Sequence, residues 1–425
     1  MLKKLILENW KSFHYAELPL DPLTVLIGTN ASGKSNVVEA LEFLQRIAQG
    51  ENIEAALAGN KTLSSIRGGV EWAALKPEKE FTLKALIAGE DEKIDYLYVI
   101  KIQTIPEIRV IEEYIEPQIL SENIFNNYLN IINTKSWHFP TRSGLKEVNS
   151  TININEIMNF KKDLNNNNNP IEIDTQTEDF KNLYNDYVIF KQKLKDYIIS
   201  KLENILILNP VPSKMRDYSR LSDALESDAS NIAGVLATLP DERKAEVEST
   251  LSTYIKHLPE GDIQKVWAEK VGRFGTDAML YCQEQWKRDP SPSPIDARTM
   301  SDGTLHFIAI LTALLTRPEA SQLVIEEIDN GLHPSRAELL VRILREIGSK
   351  RKIDILLTTH NPALLDALGP EIVPFVVVAH RDSETGESKL TLLEDIENLP
   401  LLLASGTLGR LATKGAIEKS LSDNK

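Results

Sequence analysis

The stretch GTNASGKSN, residues 28–36, contains two glycines separated by four residues, followed at once by a lysine and a serine. The apolar run Leu23–Ile27, typical of a buried strand, precedes it, and apolar residues at helical spacing follow it. The glycines let backbone N–H groups face phosphate oxygens, the lysine adds a positive charge, and the serine offers a hydroxyl to Mg²⁺. This order predicts a phosphate-binding loop. The residues assigned to it are Gly28, Asn30, Ser32, Gly33, Lys34, Ser35 and Asn36.

Two adjacent carboxylates, Glu326 and Glu327, follow the apolar run Leu323–Ile325. Carboxyl ends of strands in open α/β sheets are where ligands bind. We expect Glu326 to hold Mg²⁺, directly or through water, together with Ser35. Glu327 would orient a water molecule against the γ-phosphate. A solvated strand end is the alternative interpretation, and the phosphate-binding loop favours the functional one.

A further apolar strand, Ile353–Leu357, ends shortly before His360. A histidine at the end of such a strand can hydrogen-bond a phosphate or the attacking water. A structural role is more common for a histidine in a loop. The catalytic interpretation of His360 therefore depends on the two motifs described above.

The residues Ser301, Asp302 and Gly303 stand directly before an apolar helical run. Ser301 or Asp302 can act as the N-cap of that helix, which explains their position structurally. The functional interpretation is that this helix end presents N–H groups and a hydroxyl to the γ-phosphate of a nucleotide bound by a second protomer.

The composition of the chain excludes several classes of protein. The 425 residues include 48 lysines and arginines and 62 aspartates and glutamates, a net charge of −14, so a surface that is basic throughout is excluded. Cys282 is the single cysteine and fits a reducing compartment. The start, MLKKLILENW, is too short and too polar for a signal peptide, and no apolar run is long enough to span a membrane. We expect a cytoplasmic protein without membrane contact.

Apolar patterning predicts several elements outside the motifs. We expect strands at Leu5–Asn9, at Ala16–Leu20 and within 80–115, helical structure over 221–258, and two strands over Val266–Trp286. A strand and helix alternation over 300–380 suggests parallel sheet.

An asparagine-rich tract between Ser121 and Asp186, with the run Asn165–Asn169, predicts a loosely ordered insertion. Helical spacing returns in the segment DFKNLYNDYVIFKQKLKDYIISKLENI, as a solvated helix or a partner-binding arm. The predicted domains are 1–118 (N-terminal half of the head), 119–204 (insertion or arm, partly disordered or helical), 205–292 (helical and hairpin lobe), 293–400 (C-terminal half) and 401–425 (tail).

With its motifs in this order, the chain resembles the ATP-binding-cassette (ABC) type of P-loop ATPase. More narrowly, it is similar to the branch containing RecF, the SMC-like ATPases and the OLD-family ATPase domains. Residues 7–36, LENWKSFHYAELPLDPLTVLIGTNASGKSN, are similar to the start of that branch, with Trp10 and Lys11 replacing an aromatic residue and an arginine. The resemblance covers roughly 1–115 and 205–400. The tracts NIAGVLATL and HPSRAELL also resemble stand-alone ATPases of prokaryotic defence loci.

The resemblance implies an α/β fold, a P-loop ABC-type ATPase head with a mixed sheet core, a helical signature lobe and the Asn-rich insertion. It implies ATP and Mg²⁺ as cofactors. The Walker A element is matched by Gly28, Gly33, Lys34, Ser35 and Asn36, and Lys11 would contact phosphate. Glu326 takes the Walker B position, where the broad pattern has aspartate, and Glu327 the catalytic position.

His360 matches the switch histidine, and Ser301, Asp302 and Gly303 match the signature, with Asp302 where transporters commonly have glycine. No glutamine is assigned to a Q-loop. The resemblance further implies a head-to-tail homodimer, or a higher homo-oligomer, with two ATP molecules between protomers.

Three functions compete for such an ATPase. The first is control of a separately encoded effector, such as a nuclease, in defence against phage or foreign DNA. The second is a RecF-like DNA-repair clamp, which leaves direct DNA binding open, and the third is a non-hydrolysing scaffold assembled by ATP. A transporter subunit ranks last. We expect no nuclease in the chain itself, because residues 361–425 contain no Asp-x-Asp pair.

Overall fold

The computed structural model describes residues 1–90, 94–119, 137–138, 178–258, 263–286, 289–330 and 333–423. The predicted asparagine-rich insertion lies almost entirely outside these residues. Within them, the strands are β1 Leu2–Trp10, β2 Phe13–Pro19, β3 Leu23–Ile27, β4 Glu80–Ala88, β5 Ile94–Gln103, β6 Arg109–Ile119, β7 Trp137–His138, β8 Ile205–Leu208, β9 Ser219–Arg220, β10 Ile263–Val271, β11 Asp277–Trp286, β12 Asp289–Asp296, β13 Gln322–Ile325, β14 Asp354–Thr358, β15 Val376–Arg381 and β16 Ser388–Leu392.

The described residues also form α-helices. They are α1 Lys34–Ala48, α2 Ile53–Ala58, α3 Glu178–Glu203, α4 Pro212–Met215, α5 Ile232–Thr238, α6 Asp241–Ile255, α7 Asp302–Thr316, α8 Ala337–Arg351, α9 Pro362–Leu368, α10 Leu399–Ser405, α11 Leu408–Thr413 and α12 Ala416–Asp423. Short 3₁₀ turns lie at Ala297–Thr299, Pro334–Arg336, Pro370–Phe375 and Leu393–Asp395.

The first of two compact units comprises Met1–Pro19 and Glu39–Ile205. Its sheet has the strand order β2-β1-β4-β5-β6-β7, with antiparallel pairing throughout its described strands. One face packs on an aromatic cluster of Trp10, Phe43 and Phe81, all fully buried. The Trp10 and Phe81 ring centroids lie 4.9 Å apart in an edge-on arrangement, which aromatic rings favour over face-to-face stacking.

The second unit comprises Leu20–Val38 and Leu206–Lys425. The order of its central sheet is β16-β15-β3-β14-β13-β8, in which β13, β14, β3 and β15 run parallel and β16 is antiparallel to β15. The parallel strands are almost continuously apolar because helices must cover both faces of such a sheet. This mixed sheet is the predicted core.

A smaller sheet of β10, β11, β12 and β9 also belongs to the second unit. Its β10 and β11 form the hairpin predicted around residues 273–275. Helices α5 and α6 pack beside it, so the lobe is partly helical as expected. Residues 221–231 are not helical, because the Asn231 side chain donates to the Ala224 carbonyl and accepts from the Glu226 N–H, which fixes a loop there.

The two-unit division differs from the predicted domains. The unit boundary near Ile205 lies one residue from the expected one, but residues 206–425 form a single unit, and residues 20–38 join it. The helical prediction before residue 205 is confirmed by α3. The predicted tail contains α11, α12 and most of α10.

We predict that Phe81→Ala lowers the free energy of unfolding by about 3–5 kcal/mol, because it removes a fully buried ring from the aromatic cluster. Urea unfolding followed by tryptophan fluorescence measures this change. Phe274→Ala is the control, since that ring is 85% exposed and its loss should cost less than about 0.5 kcal/mol. Equal effects of the two changes would contradict the role of the cluster.

Candidate functional site

The phosphate-binding loop joins β3 directly to α1. Gly28 has a φ of +142°, and a Cβ there would lie 2.1 Å from the carbonyl oxygen of Ala379 in β15. No other residue fits this approach without moving backbone. Gly33 also has a positive φ, of +113°. The loop therefore depends on its glycines, as predicted from their spacing.

The side chains of the loop are arranged around its own backbone. Lys34 Nζ donates to the carbonyls of Gly28, at 2.6 Å, and Thr29, at 3.0 Å. The hydroxyl of Ser32 is buried and has no hydrogen-bond partner among the described residues. Ser35 and Asn36 lie in the first turn of α1, and Asn30 is exposed at the loop tip. A phosphate in the loop would give both Lys34 and Ser32 a new partner.

Arg381 supports this loop and was not predicted. Its Nε donates to the carbonyl of Ala31 at 2.9 Å, and its Nη1 to the carbonyl of Gly386 at 2.7 Å. Ala31 has a φ of +63°, a conformation that costs energy for a residue with a Cβ. Arg381 thus ties the loop tip to the β15–β16 hairpin. A residue 350 positions away along the chain carries no local signal for this contact.

Glu326 and Glu327 follow β13 at the edge of the sheet where β3 also ends. The Glu326 N–H donates to the Leu208 carbonyl at 3.1 Å, and the Glu327 N–H donates to Thr358 Oγ1 at 2.8 Å. Glu327 has a φ of +48°, in the left-handed region. Strained backbone of this kind clusters at functional sites, and here the neighbouring strand β14 holds it in place.

Asp329 connects this edge to His360. Its Oδ1 accepts a hydrogen bond from Thr359 Oγ1 at 2.6 Å, and its Oδ2 lies 4.0 Å from His360 Nε2. The Asp329 side chain is 9% exposed and that of His360 is 63% exposed. Asp329 was missed from the sequence, although an acid two residues after Glu327 was a possible signal. Its carboxylate lies near the His360 ring but beyond hydrogen-bond distance.

Several carboxylates act electrostatically on the Lys34 ammonium. Burial lowers the pKa of the Lys34 ammonium, while the charges of Glu327, Glu418, Asp329 and Glu326 act to raise it. The charges of both predicted glutamates therefore act on the predicted lysine. Glu418 comes from α12, in the segment predicted as a tail, and had no sequence signal.

The signature residues begin helix α7. Ser301 is its N-cap, and its Oγ accepts from the Thr304 N–H at 3.1 Å, so the capping role considered from the sequence is present. Asp302 is exposed and forms an ion pair with Arg216, whereas Gly303 is buried. The cap leaves the first N–H groups of an apolar, buried helix at its open end.

His306 links α7 to the loop that carries Glu327. The ring is 2% exposed, it shares a hydrogen bond with the backbone of Ile328, and its Nε2 has no partner among the described residues. Burial lowers its pKa to about 4. The histidine is therefore neutral at physiological pH and donates one hydrogen bond to the Ile328 carbonyl.

Lys11 lies in the first unit. Its Nζ pairs with Glu39 and donates to the Arg67 carbonyl at 2.7 Å, and its side chain is 6% exposed. Burial lowers the pKa of this ammonium, and the Glu39 carboxylate opposes that shift. A phosphate contact by Lys11 stays a prediction, and it would require the ammonium to leave these partners.

The donor set fits a nucleotide with Mg²⁺. Among the described residues there is no group of three or more His, Cys, Asp or Glu side chains able to hold a metal. Mg²⁺ does not require one, because it is usually bound through one or two side chains, water and substrate phosphates. Ser35 and Glu326 are the side chains that would hold it.

The AAA ATPase domain family matches residues 1–365. The chain belongs to this family. Among solved structures, the AAA ATPase domain is similar to an SMC head bound to the C-terminal winged-helix domain of ScpA, with 14% identity and a TM-score of 0.53. That match covers 92% of this chain and 97% of the other. It shows the fold of an SMC-type P-loop ATPase head, as expected from the motifs.

Two other SMC heads are matched at lower structural similarity. The head from Thermotoga maritima has 14% identity, coverage of 92% and 98%, and a TM-score of 0.43. The head from Pyrococcus furiosus, with an extended coiled coil and bound to the C-terminal domain of ScpA, has 13% identity, coverage of 95% and 99%, and a TM-score of 0.46. No curated protein matches the sequence. Among the described helices, none is both long and apolar enough to cross a bilayer.

We predict that the free energy of unfolding of this AAA ATPase domain decreases as the pH is lowered from about 6.5 to about 4, because of His306. The folded pKa, about 4, lies below the ordinary histidine value of 6.5, so the unfolded state binds more protons in that window. The loss is at most about 3–4 kcal/mol. His306→Leu should flatten the fall, measured as the change in unfolding free energy with pH. Replacing the exposed His257 in the same way is the control, and an unchanged slope in His306→Leu would contradict the assignment.

Proposed function

We propose that this chain is a cytoplasmic Mg²⁺-dependent ATPase that dimerises head to tail on ATP and controls a separately encoded effector. The observation that carries the ATPase proposal is that Lys34, Glu327 and Asp329 all follow the ends of adjacent parallel strands. There the charges of Glu327, Glu418, Asp329 and Glu326 act on the Lys34 ammonium. A γ-phosphate held by that lysine would lie beside carboxylates that can bind a metal and activate water. Phosphoryl transfer needs both at that point.

Each residue then has a role in hydrolysis. Lys34 and Ser32 bind the phosphates. Glu327 takes a proton from water as the water oxygen bonds to the γ-phosphorus and the bond to the β–γ bridging oxygen breaks, which releases ADP and phosphate. His360, whose ring lies 4.0 Å from Asp329, would hydrogen-bond the γ-phosphate. Mg²⁺ held by Ser35 and Glu326 supplies charge neutralisation on the phosphates when bound.

A second protomer would complete each site. The open end of α7, with Ser301 as its cap, offers N–H groups and a helix dipole suited to an anion. The γ-phosphate of ATP bound by one protomer would contact the Ser301 and Gly303 region of the other. ATP then favours the closed dimer because only the closed state makes these contacts, and hydrolysis removes them.

We propose that the protein controlled by this ATPase is an effector, such as a nuclease, in prokaryotic defence. Support comes from the tracts NIAGVLATL and HPSRAELL, which resemble stand-alone ATPases of prokaryotic defence loci, and from the similar SMC head that is bound to the winged-helix domain of ScpA. A RecF-like clamp on DNA is the alternative. The net charge of −14 gives it less support, since a clamp requires a basic inner face.

We predict that Glu327→Gln lowers ATP turnover by about 10²- to 10⁴-fold, the usual contribution of a general base, while ATP binding persists. The change keeps the shape of the side chain and removes its proton affinity. Phosphate release measures turnover, and light scattering after gel filtration should show an ATP-dependent dimer.

Two variants control this experiment. Lys34→Ala should abolish ATP binding and with it the dimer, whereas Glu319→Gln replaces an exposed glutamate outside the site and should leave turnover unchanged. Wild-type turnover in Glu327→Gln would refute the catalytic assignment, and absence of turnover in the wild type would favour an ATP-assembled scaffold.

We predict co-purification of this ATPase with the product of a neighbouring gene, and a change in that association when Glu327→Gln is loaded with ATP. The physical reason is that the closed dimer presents a different surface from the open one. Binding of duplex DNA by the purified ATPase alone, falling steeply with salt, would support the clamp instead.

A further inference from the structure

Arg216 contacts the signature from outside the motif. It follows α4 directly, and its Nη2 donates to Asp302 Oδ1 at 2.5 Å and to the Met300 carbonyl at 2.8 Å. Its side chain is 28% exposed and that of Asp302 is 66% exposed. Two acceptors on either side of Ser301 thus fix one guanidinium nitrogen at the open end of α7.

This contact answers an electrostatic difficulty in the signature. Asp302 places a carboxylate in the first turn of α7, where the proposed dimer brings the γ-phosphate of the partner's ATP. Two like charges at contact distance would weaken the closed state. The Arg216 guanidinium neutralises Asp302 and adds a positive group at the same helix end, so the pair can accept an anion where Asp302 alone would repel it.

The geometry of a guanidinium suits a further contact. Its described hydrogen bonds are made by Nη2, and the planar group carries five N–H donors in all, which match phosphate oxygens in pairs. The two hydrogen bonds to Asp302 and Met300 orient the guanidinium before any nucleotide binds. An oriented arginine of this kind stabilises the charge that builds up on the γ-phosphate oxygens in the transition state.

We propose that Arg216 is an arginine finger that acts in trans, contacting the γ-phosphate of ATP bound by the partner protomer, with Asp302 as its positioning residue. This rests on the proposed head-to-tail ATPase. Arg216 would then be a catalytic residue of the partner's site, and the departure from glycine at position 302 is what holds it there.

The first test separates a phosphate contact from a merely structural one. Arg216→Ala should lower kcat about 10³-fold or more, in keeping with the effect of arginine fingers, without changing the affinity of the isolated protomer for ATP. Asp302→Ala should lower kcat by less than about tenfold, and Arg216→Lys should fall between. Arg298→Ala is the matched control, because that neighbouring exposed arginine pairs with Asp296 instead.

The comparison of Asp302→Ala with Arg216→Ala decides the role. If Arg216 only holds Asp302 in place, the two single variants and the double variant would lose the same activity, and the proposal fails. Thermal unfolding of each variant checks that the signature loop is intact, and Arg216→Lys keeps the charge should the alanine variant unfold.

The second test asks on which site Arg216 acts. In heterodimers carrying Glu327→Gln in one protomer, both sites bind ATP and one hydrolyses it. Arg216→Ala in the Glu327→Gln protomer removes the guanidinium facing the active site and should abolish single-turnover hydrolysis. The same change in the other protomer should leave it intact, and the reverse result would overturn action in trans.

The same pairs made with Ser301→Arg distinguish the two proposals. If hydrolysis depends on which protomer carries Ser301→Arg but not on which carries Arg216→Ala, the composite site stands and the arginine finger fails. If hydrolysis depends neither on which protomer carries Ser301→Arg nor on which carries Arg216→Ala, the head-to-tail arrangement itself is wrong.

Discussion

Parallel pairing of β13, β14 and β3 is the constraint on which the site depends. In this register Ile325 faces Leu357, and Thr358 faces Leu26, so three strands end at the same edge of the sheet. Residues far apart in the chain, Lys34, Glu327 and His360, therefore follow strand ends that lie side by side. The hydroxyl of Thr358 makes the connection direct, since it holds the backbone of Glu327 in its left-handed conformation.

The carboxylates around Lys34 affect which charged ligands can enter the site. Without a ligand, the ammonium of Lys34 is satisfied by neutral carbonyls while several carboxylates act on it from a distance. A bare triphosphate entering this site would be repelled by those carboxylates. A nucleotide whose charge is partly neutralised by a divalent cation would not, so the net charge of −14 and the binding of nucleotide are compatible.

The sequence predicted those parts of the site that have local patterns. The glycine loop between β3 and α1, the strand ends before Glu326 and His360, and the cap at Ser301 were all readable because each depends on neighbours within a few residues. Contacts between distant segments had no such pattern, as in the pairing of Arg381 with Ala31 or Arg216 with Asp302. Either partner of these pairs is, by itself, an ordinary surface residue.

The two compact units differ from the predicted domains for a related reason. Composition changes mark where a segment becomes polar, but a unit is defined by which apolar faces pack together. Residues 20–38 belong with the second unit because β3 pairs with β14 and β15, which lie more than 300 residues later in the sequence. The continuous helix α1 crosses the boundary, so no change in local pattern marks it.

Helix α7 is buried at every position from Gly303 to Leu315. A helix surrounded on all sides has no face on which sequence can drift during evolution, because each replacement alters the packing of the core. Its first turn is different, since Ser301 and Asp302 face solvent. Divergence among related heads can therefore accumulate at this end of the helix, and a departure such as the aspartate at position 302 can arise there without disturbing the fold.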